Sequence, residues 1–319
     1  MSLRMQRTVL LSVALLAAAC TAGQNDTVPQ RSGSAVDIVA RGLQFEAPDE
    51  IESGWTTFRF RNESAMMHFA LLQRLPTGIG ISEQQRLVAP VFQEGMNLLN
   101  AGETDAAMQK FGELPEWFGQ VVFTGGPGLL SPGRTSETSV YLEPGTYLIE
   151  CYVKTNGIFH SYNPDSLAYG MVHQLTVTPA ESDATAPEPT LALTISGEGG
   201  IRMAGDVDAG EHTVSVRFAD QRAHENFVGH DVHLVRLADT ADMSRVAAWM
   251  DWTQRTGLDT PAPAEFLGGV NEMPAGAIGY FTASLEPGRY AWVAEVPNPQ
   301  EKGMLQMFEV TAGSGDTAR

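Results

Sequence analysis

The feature that most constrains the fold of this 319-residue chain is an internal repeat. Five stretches of the first half recur in the same order in the second half, and three of them keep a constant offset of 143 residues. The pairs are HFALLQRL from His68 with HDVHLVRL from His230, FTGG with FLGG, LEPG with LEPG, Tyr147 with Tyr290, and Gly170-Met171 with Gly303-Met304. A tandem duplication of this kind predicts two copies of one structural unit, each of single-domain size.

Alternation of apolar residues predicts that each copy is built from β-strands. In TTFRFRN, Phe58 and Phe60 share one face while Arg59 and Arg61 take the other. In TYLIECYV the apolar side chains likewise share one face and Glu150 points to the opposite face. Glu-Pro-Gly and Ser-Pro-Gly mark turns between such strands. The predicted fold class is mainly β, with two tandem Greek-key β-sandwich domains.

A short helical insertion is predicted in each copy. In the first, Ser82 is a candidate cap for a helix that runs to Ala101, and Pro90 should kink or shorten it. A shorter helix is predicted to start at Thr104. In the second copy, Thr240 is the predicted cap.

Two polar stretches of small residues set the predicted domain boundaries. The predicted segments are a leader at 1–20, a flexible tether at 21–35, a first domain at 36–179, a linker at 180–190, a second domain at 191–312 and a tail at 313–319.

The leader carries Arg4 and Arg7, and an apolar run from Val9 to Ala19 that ends at Cys20. Small residues immediately before a cysteine resemble the lipobox of bacterial lipoproteins. The resemblance implies that Cys20 is lipidated and anchors the protein to a membrane. With Thr21 after the cysteine, it implies the outer membrane of the cell envelope, facing the periplasm. An ordinary signal peptide cut near Ala19 is the alternative.

The formal net charge of −18 argues against nucleic acid as a partner. The acidic residues are scattered through the chain, which is typical of a solvated surface. Contact with a membrane would therefore depend on the lipid anchor at Cys20.

Cys151 is the second of two cysteines, so lipidation of Cys20 leaves it without a partner for a disulfide. An unpaired thiol in an exported protein has two readings, a metal ligand or a buried apolar filler. The chain also offers His68 before Cys151, and His160 and Met171 after it. Two imidazoles, one thiolate and a weak axial thioether are what a blue-copper site requires.

The order His, Cys, His, Met resembles that of the cupredoxins, with LEPGTYLIEC similar to their penultimate strand and GMVHQLTVT to their last. The resemblance implies that one copper ion is bound by His68, Cys151, His160 and Met171, with His173 as a reserve ligand. The spacing from Cys151 to His160 and on to Met171 is longer than the family's usual short loop.

The second copy lacks this set, since Cys151 corresponds to Ala294 and the loop that follows has no histidine. The other histidines of this copy are predicted to lie at the surface or at strand ends. They are His212, His224, His230 and His233.

The predicted function is copper binding with one-electron transfer or copper carriage, with a redox protein as a possible partner. The alternative is a metal-free surface lipoprotein whose sandwich domains bind protein or carbohydrate. The chain is predicted not to be an enzyme, because the extra histidine pairs of a multinuclear copper oxidase are missing.

Overall fold

The structure is a computed structural model that describes residues 35–165 and 168–311. The predicted leader with Cys20, the tether up to residue 34 and the tail at 313–319 lie outside the described residues. Within the described part of the chain, no helix is both long and apolar enough to cross a membrane.

The first copy holds β-strands and a helical insertion between the fourth and fifth strands. The strands are β1 Val36–Arg41, β2 Gln44–Glu46, β3 Glu50–Asn62, β4 Leu71–Arg74, β5 Val122–Phe123, β6 Thr135–Leu142, β7 Gly145–Glu150, β8 Lys154–Thr155, β9 Ile158–Phe159 and β10 Val172–Glu181. The insertion comprises α1 Ile81–Leu87, α2 Ala89–Asn100, α3 Thr104–Phe111 and a 3₁₀ turn at Glu116–Gln120.

The second copy repeats this order with a smaller insertion. Its elements are β11 Leu191–Ser196, β12 Gly200–Ala204, β13 Gly210–Phe218, β14 Val232–Leu237, α4 Met243–Trp249, β15 Glu265–Val270, β16 Ile278–Leu285, β17 Gly288–Val293 and β18 Leu305–Val310. The predicted mainly β class and β-sandwich architecture are confirmed.

The long strand β3 contributes to both sheets of the first sandwich. Its first residues, Glu50–Ser53, pair with β10, which continues through β7 and β4 to β5. The rest of β3 pairs with β6 on one side and with β1 on the other. In the second copy, β12, β11, β13 and β16 form one sheet, and β15, β14, β17 and β18 form the other.

Strand β6 of the first copy pairs antiparallel with its repeat counterpart β16, so one sheet runs through both copies. Thr138 lies opposite Phe281, which is the residue 143 positions later. The neighbouring segments 125–131 and 266–272 are also joined by backbone hydrogen bonds, and Pro127 pairs with its own counterpart Val270. The copies therefore meet through a local pseudo-two-fold arrangement, like the self-complementary patches of a symmetric dimer.

Close packing of each of these segments against the backbone of its own copy explains why FTGG and FLGG recur in the sequence. Gly126 has φ of +105°, and a Cβ there would lie 2.3 Å from the Ala70 carbonyl oxygen. Its counterpart Gly269 has φ of +147°, and a Cβ would lie 2.1 Å from the Val232 carbonyl oxygen. Both positions need glycine for backbone conformation and for close approach.

The predicted helices are present, but two of their starts differ. The first begins at Ile81 with Gly80 as N-cap, and it ends at Leu87 because Pro90 occupies the first turn of a separate helix, α2. The cap of α4 is Asp242, whose carboxylate accepts from the Ser244 N–H, so the predicted cap at Thr240 is wrong. The start of α3 at Thr104 is as predicted.

The insertion covers one face of β7 in the first copy. Glu150 was predicted to point away from the apolar face, and it does so, but it is buried and bonded by Gln73 and Gln84. Strand β7 is thus covered on both faces. Its neighbouring residues Leu148 and Ile149, which point to opposite faces, both have no exposed surface. The domain boundaries stay a prediction, although residues 182–190 between β10 and β11 contain neither helix nor strand.

Candidate metal centre

His68 is held immediately before β4 by the segment that contacts the second copy. Its backbone carbonyl accepts from the Leu130 N–H at 2.8 Å, and its N–H donates to the Leu130 carbonyl at 3.4 Å. The side chain is fully buried. The junction between the copies therefore helps to position the first predicted ligand.

Cys151 follows β7 directly, and it too is fully buried. Its N–H donates to the Met171 carbonyl at 3.1 Å, and the Met171 N–H in turn donates to the His160 carbonyl at 2.6 Å. A Cβ on Gly170 would lie 2.1 Å from the Ser161 carbonyl oxygen, so the glycine permits this close approach. The Gly170-Met171 pair thus fixes the backbone around Cys151 and His160.

The long spacing between Cys151 and His160 is taken up by a tight hairpin. Lys154 pairs with Phe159 and Thr155 with Ile158, across a two-residue turn. Its central residues Asn156 and Gly157 have φ of +54° and +78°. Asn-Gly is the preferred sequence for such a turn because both positions require positive φ. The chain therefore doubles back, and the His160 N–H donates to the Val153 carbonyl at 2.8 Å.

The three side chains present their potential ligand atoms to one another. His68 Nδ1 lies 3.4 Å from Cys151 Sγ, His160 Nδ1 lies 3.8 Å from the same sulfur, and the two Nδ1 atoms are 3.2 Å apart. A point equidistant from three atoms so arranged is about 2 Å from each. That is close to the ~2.0–2.3 Å at which imidazole nitrogen and thiolate sulfur bind metals such as zinc. The donor set and its spacing fit a metal ion.

The rest of the His160 ring is oriented for ligation through Nδ1. His160 Nε2 lies 2.8 Å from Thr155 Oγ1, which is itself 3.0 Å from Thr260 Oγ1. Neutral imidazole that binds through Nδ1 keeps its proton on Nε2, and a hydrogen bond from that proton fixes the ring. His68 differs, because its Nε2 is buried with no hydrogen-bond partner.

Burial sets the protonation of all three groups. It lowers the pKa of His68 to about 4, and together with the neighbouring His68 ring it lowers the pKa of His160 to about 3. Burial raises the pKa of the Cys151 thiol to about 12. At neutral pH the imidazoles are uncharged and able to bind a metal, whereas the thiol must lose a proton on metal binding.

The two remaining predicted ligands, Met171 and His173, differ from each other in position. Met171 is fully buried and its backbone bonds to both Cys151 and His160. His173 lies outside the cluster, with Nε2 3.1 Å from the Pro48 carbonyl oxygen and 3.4 Å from an Asp49 carboxylate oxygen. The reserve ligand is thus engaged at a different place on β10.

The histidines of the second copy were predicted to lie at the surface or at strand ends; His230 and His233 lie at the start of β14, but both are fully buried. His230 occupies the place of His68, but its Nδ1 lies 3.3 Å from His224 Nε2 and its Nε2 lies 2.9 Å from the Asp220 carbonyl oxygen. Ala294 occupies the place of Cys151 and is buried. Both ring nitrogens of His230 therefore have partners, and no thiol lies at the equivalent position.

A second cluster, Asp231, His233 and Glu295, was not foreseen; its potential ligand atoms lie within 4.8 Å of one another. The Leu129 N–H donates to His233 Nδ1 at 3.1 Å, so the ring proton resides on Nε2, 2.6 Å from Asp231 Oδ2. To bind a metal, the imidazole would need a ring nitrogen whose lone pair is not used in a hydrogen bond. The His233 ring is therefore committed to hydrogen bonds.

Buried carboxyl groups surround this second cluster. Burial raises the pKa of Glu295 well above its usual range, with Asp231 adding to the effect, and burial raises the pKa of Glu272 to about 8. The Tyr152 hydroxyl donates to Glu295 Oε2 at 3.1 Å and so links the residue after Cys151 to the second copy. Scattered acidic residues gave no sequence signal for this burial, whereas Asn156-Gly157 could have revealed the hairpin.

The sequence matches no protein-family profile and no curated protein. Among solved structures, the chain is similar to auracyanin B, with 19% identity over 41% of this chain and 95% of that chain, at a TM-score of 0.29. It is similar to auracyanin A, a "blue" copper protein from Chloroflexus aurantiacus, with 21% identity over 46% of this chain and 99% of that chain, at a TM-score of 0.26.

A third similar structure is a copper nitrite reductase from Nitrosomonas europaea, with 11% identity over 88% of this chain and 94% of that chain, at a TM-score of 0.23. This match corrects the prediction that the chain is not an enzyme, because a nitrite reductase is an enzyme. At these TM-scores, the fold assignment depends on the sheets described above.

Proposed function

We propose that this protein binds one copper ion that His68, Cys151, His160 and Met171 would hold, and that it transfers single electrons or carries copper. The observation that carries the proposal is the triangle of two imidazole nitrogens and one sulfur, with edges of 3.2 to 3.8 Å. Copper in such a site supplies a one-electron couple, since imidazole and thiolate together accommodate both oxidation states.

The protein's own residues would hold the ion and limit its rearrangement. The hairpin fixes His160, Thr155 orients its ring, and the Cys151 and Met171 backbones are hydrogen-bonded to each other. Full burial of His68 and Cys151 keeps bulk water away from the donors. A site that is fixed by its surroundings reorganises little when an electron enters or leaves.

The proposal is tested by titrating the purified protein with Cu(II) and recording its optical spectrum. We expect an intense thiolate-to-copper band that saturates at one equivalent and is absent from Cys151→Ser. His173→Ala is the matched control, since His173 lies outside the cluster and its loss should leave the band unchanged. If wild-type protein gives no band, the copper proposal fails, and the alternative of a metal-free protein that binds protein or carbohydrate becomes the working hypothesis.

We also propose that Cys20 carries lipid and anchors the protein in the cell envelope, at the outer membrane facing the periplasm, with a redox protein as its electron-transfer partner. The support is the leader sequence before Cys20. Mass spectrometry of the N-terminal peptide from the native host tests the anchor. A diacylglyceryl-modified Cys20 is expected, and an unmodified peptide that begins after Ala19 would contradict it.

A further inference from the structure

The hairpin that returns His160 to Cys151 is held by a loop of the second copy. Strands β8 and β9 have two residues each and form a two-stranded sheet. A hairpin of this kind is at best marginally stable in water by itself. The contacts come from residues 252–260, which follow α4 and which we call the clamp loop. The position of His160 therefore depends on residues outside the hairpin.

The backbone of the clamp loop pairs with the first strand of the hairpin. The Lys154 N–H donates to the Leu258 carbonyl at 2.7 Å, and the Lys154 carbonyl accepts from the Thr260 N–H at 2.9 Å. The Lys154 side chain is fully buried, and its Nζ donates to the Trp252 and Gln254 carbonyls at 2.8 and 2.9 Å. A buried amine needs hydrogen-bond partners, and these carbonyls belong to the clamp loop. Lys154 thus joins the two copies through its main chain and its side chain.

The Asp259 carboxylate of the clamp loop binds the turn of the hairpin. Its Oδ1 accepts from the Asn156 N–H and its Oδ2 from the Gly157 N–H, each at 3.0 Å. Successive backbone N–H groups in a turn form a concave site for an anion, and hydrogen bonds to an ionised acceptor are strong. Asp259 is itself fixed, because its carbonyl accepts from Trp249 Nε1 at 2.7 Å. The carboxylate therefore stabilises the turn in which both residues have positive φ.

The clamp loop also contacts the group that orients the His160 ring. Thr155 Oγ1 lies 2.8 Å from His160 Nε2 and 3.0 Å from Thr260 Oγ1. When the imidazole donates its Nε2 proton to Thr155, the Thr155 hydroxyl proton is available for Thr260. The second copy supplies none of the four candidate ligands, yet it reaches one of them through a single intervening side chain.

The first copy holds the same hairpin through Gln93 of α2. Gln93 Oε1 accepts from the Phe159 N–H at 2.9 Å, and its Nε2 donates to the Gly157 carbonyl at 3.1 Å. These contacts do not involve the clamp loop. Loss of the Asp259 carboxylate should therefore loosen the turn and leave the two sandwiches folded.

We propose that Asp259 is a positioning residue for the candidate metal centre, and that the clamp loop sets the position of His160 relative to His68 and Cys151. The copy that lacks the ligand set thus holds the ligand hairpin of the other copy. The link to copper rests on the proposed function, whereas the position of His160 can be measured in the metal-free protein.

The test compares Asp259→Ala with wild type by amide hydrogen exchange of the metal-free protein. The His160 N–H keeps its own acceptor, the Val153 carbonyl, in this variant. Faster exchange at His160 therefore reports movement of the hairpin. We expect an increase of at least about tenfold, the factor for loss of one hydrogen bond to a charged group. The Leu75 N–H, which donates to the Thr146 carbonyl at 2.8 Å, should exchange as in wild type.

Two further variants are the controls. Asp206→Ala removes an exposed carboxylate of the second copy between β12 and β13, and should leave exchange at His160 unchanged. Asp259→Asn keeps one acceptor oxygen for the turn, and its exchange rate should lie between those of wild type and Asp259→Ala. Equal rates at His160 in Asp259→Ala and Asp206→Ala would overturn the proposal. An equal acceleration at Leu75 would also overturn it, because that result reports general destabilisation.

Competition with a chelator then measures copper binding by the same variants. Asp259→Ala should bind Cu(II) about 10-fold to 100-fold more weakly than Asp206→Ala, the loss typical of an outer partner of a ligand. Its thiolate-to-copper band should also shift, since the His160 nitrogen is displaced. Unchanged affinity in a variant whose hairpin has loosened would refute the positioning role. If wild type gives no copper band, the copper proposal fails alone, and the exchange rates decide the role of Asp259.

Discussion

The two copies place a histidine at the same point before equivalent strands, yet the surroundings of that histidine differ. In the first copy His68 faces Cys151 Sγ and His160 Nδ1, at 3.4 and 3.2 Å. In the second, His230 is bonded by His224 at one ring nitrogen and by the Asp220 carbonyl at the other. A duplicated scaffold can therefore keep a buried histidine whether or not that histidine faces a cluster of potential metal ligands. The difference between the copies is whether a ring nitrogen of this histidine is free or already hydrogen-bonded.

The extra chain length of the first copy accounts for much of this difference. The Asn156-Gly157 hairpin returns His160 to Cys151, and the described part of the second copy has no hairpin at the equivalent place, between β17 and β18. The second copy instead buries Asp231, which bonds to the His233 ring and to the Glu295 N–H, while the Tyr152 hydroxyl of the first copy donates to the Glu295 carboxylate. The first copy thus presents potential metal ligands to one another, whereas the corresponding buried groups of the second copy are mostly engaged in hydrogen bonds.

The largest expected effect is the loss of copper affinity when His160, the histidine that neighbours His68, is removed. His160→Ala removes one corner of the donor triangle, and we expect copper affinity to fall by more than about 100-fold, which is at or above the upper limit seen when an outer partner of a ligand is lost. His224→Ala removes the equivalent neighbour of His230 and should leave copper affinity unchanged. Competition with a chelator of known affinity measures both. Equal losses in the two variants would refute the distinction between the copies.

The glycines at the junction offer a second test, with an expected cost of ~3 kcal/mol or more in unfolding free energy for Gly126→Ala. The reason is positive φ combined with a Cβ only 2.3 Å from a carbonyl oxygen. Gly269→Ala should cost a similar amount, because its environment is the counterpart. Gly133→Ala is the control, with φ of +73° and open space around the Cβ, and should cost only ~1–2 kcal/mol. Urea unfolding measures all three, and a Gly126 variant no less stable than Gly133→Ala would show that the packing of Gly126 against Ala70 tolerates a side chain.

The smallest effect concerns Glu272, one of the buried carboxyl groups of the second copy. The folded-state pKa of Glu272, about 8, lies above its usual value of 4.5, so the folded protein retains a proton that the unfolded chain loses. Its stabilising contribution is present below pH 4.5 and is lost as the pH rises through 8. Glu272→Gln should therefore flatten the decline of unfolding free energy across this window by up to ~1.4 kcal/mol per pH unit.

Urea unfolding at several values between pH 5 and pH 8 measures this slope. Glu309→Gln on β18 is the matched control, because Glu309 is exposed and its replacement should leave the slope as in wild type. An unchanged slope in Glu272→Gln would show that Glu272 titrates normally in the folded protein.

Much of the candidate site followed from residue types and their order. His68, Cys151 and His160 were identified from their sequence, and the structure brings all three together. His173 was a reserve because it shares a face with Met171 on one strand, but it contacts Pro48 and Asp49 instead. Periodicity says which side a residue faces and says nothing of the loop that reaches it from elsewhere in the chain.

The sequence by itself determined the duplication, the β-strands and the set of donor residues, because repeats, alternation and side-chain chemistry are local properties of a chain. The tertiary structure alone decided which donors are free and which are committed, since that depends on contacts between residues as distant as Leu129 and His233. It also decided that the repeated glycines pack against the backbone of their own copies, and that the clamp loop of the second copy bonds to the hairpin of the first. Burial and long-range hydrogen bonding, set only when the chain is packed, fix the chemistry that each side chain can perform.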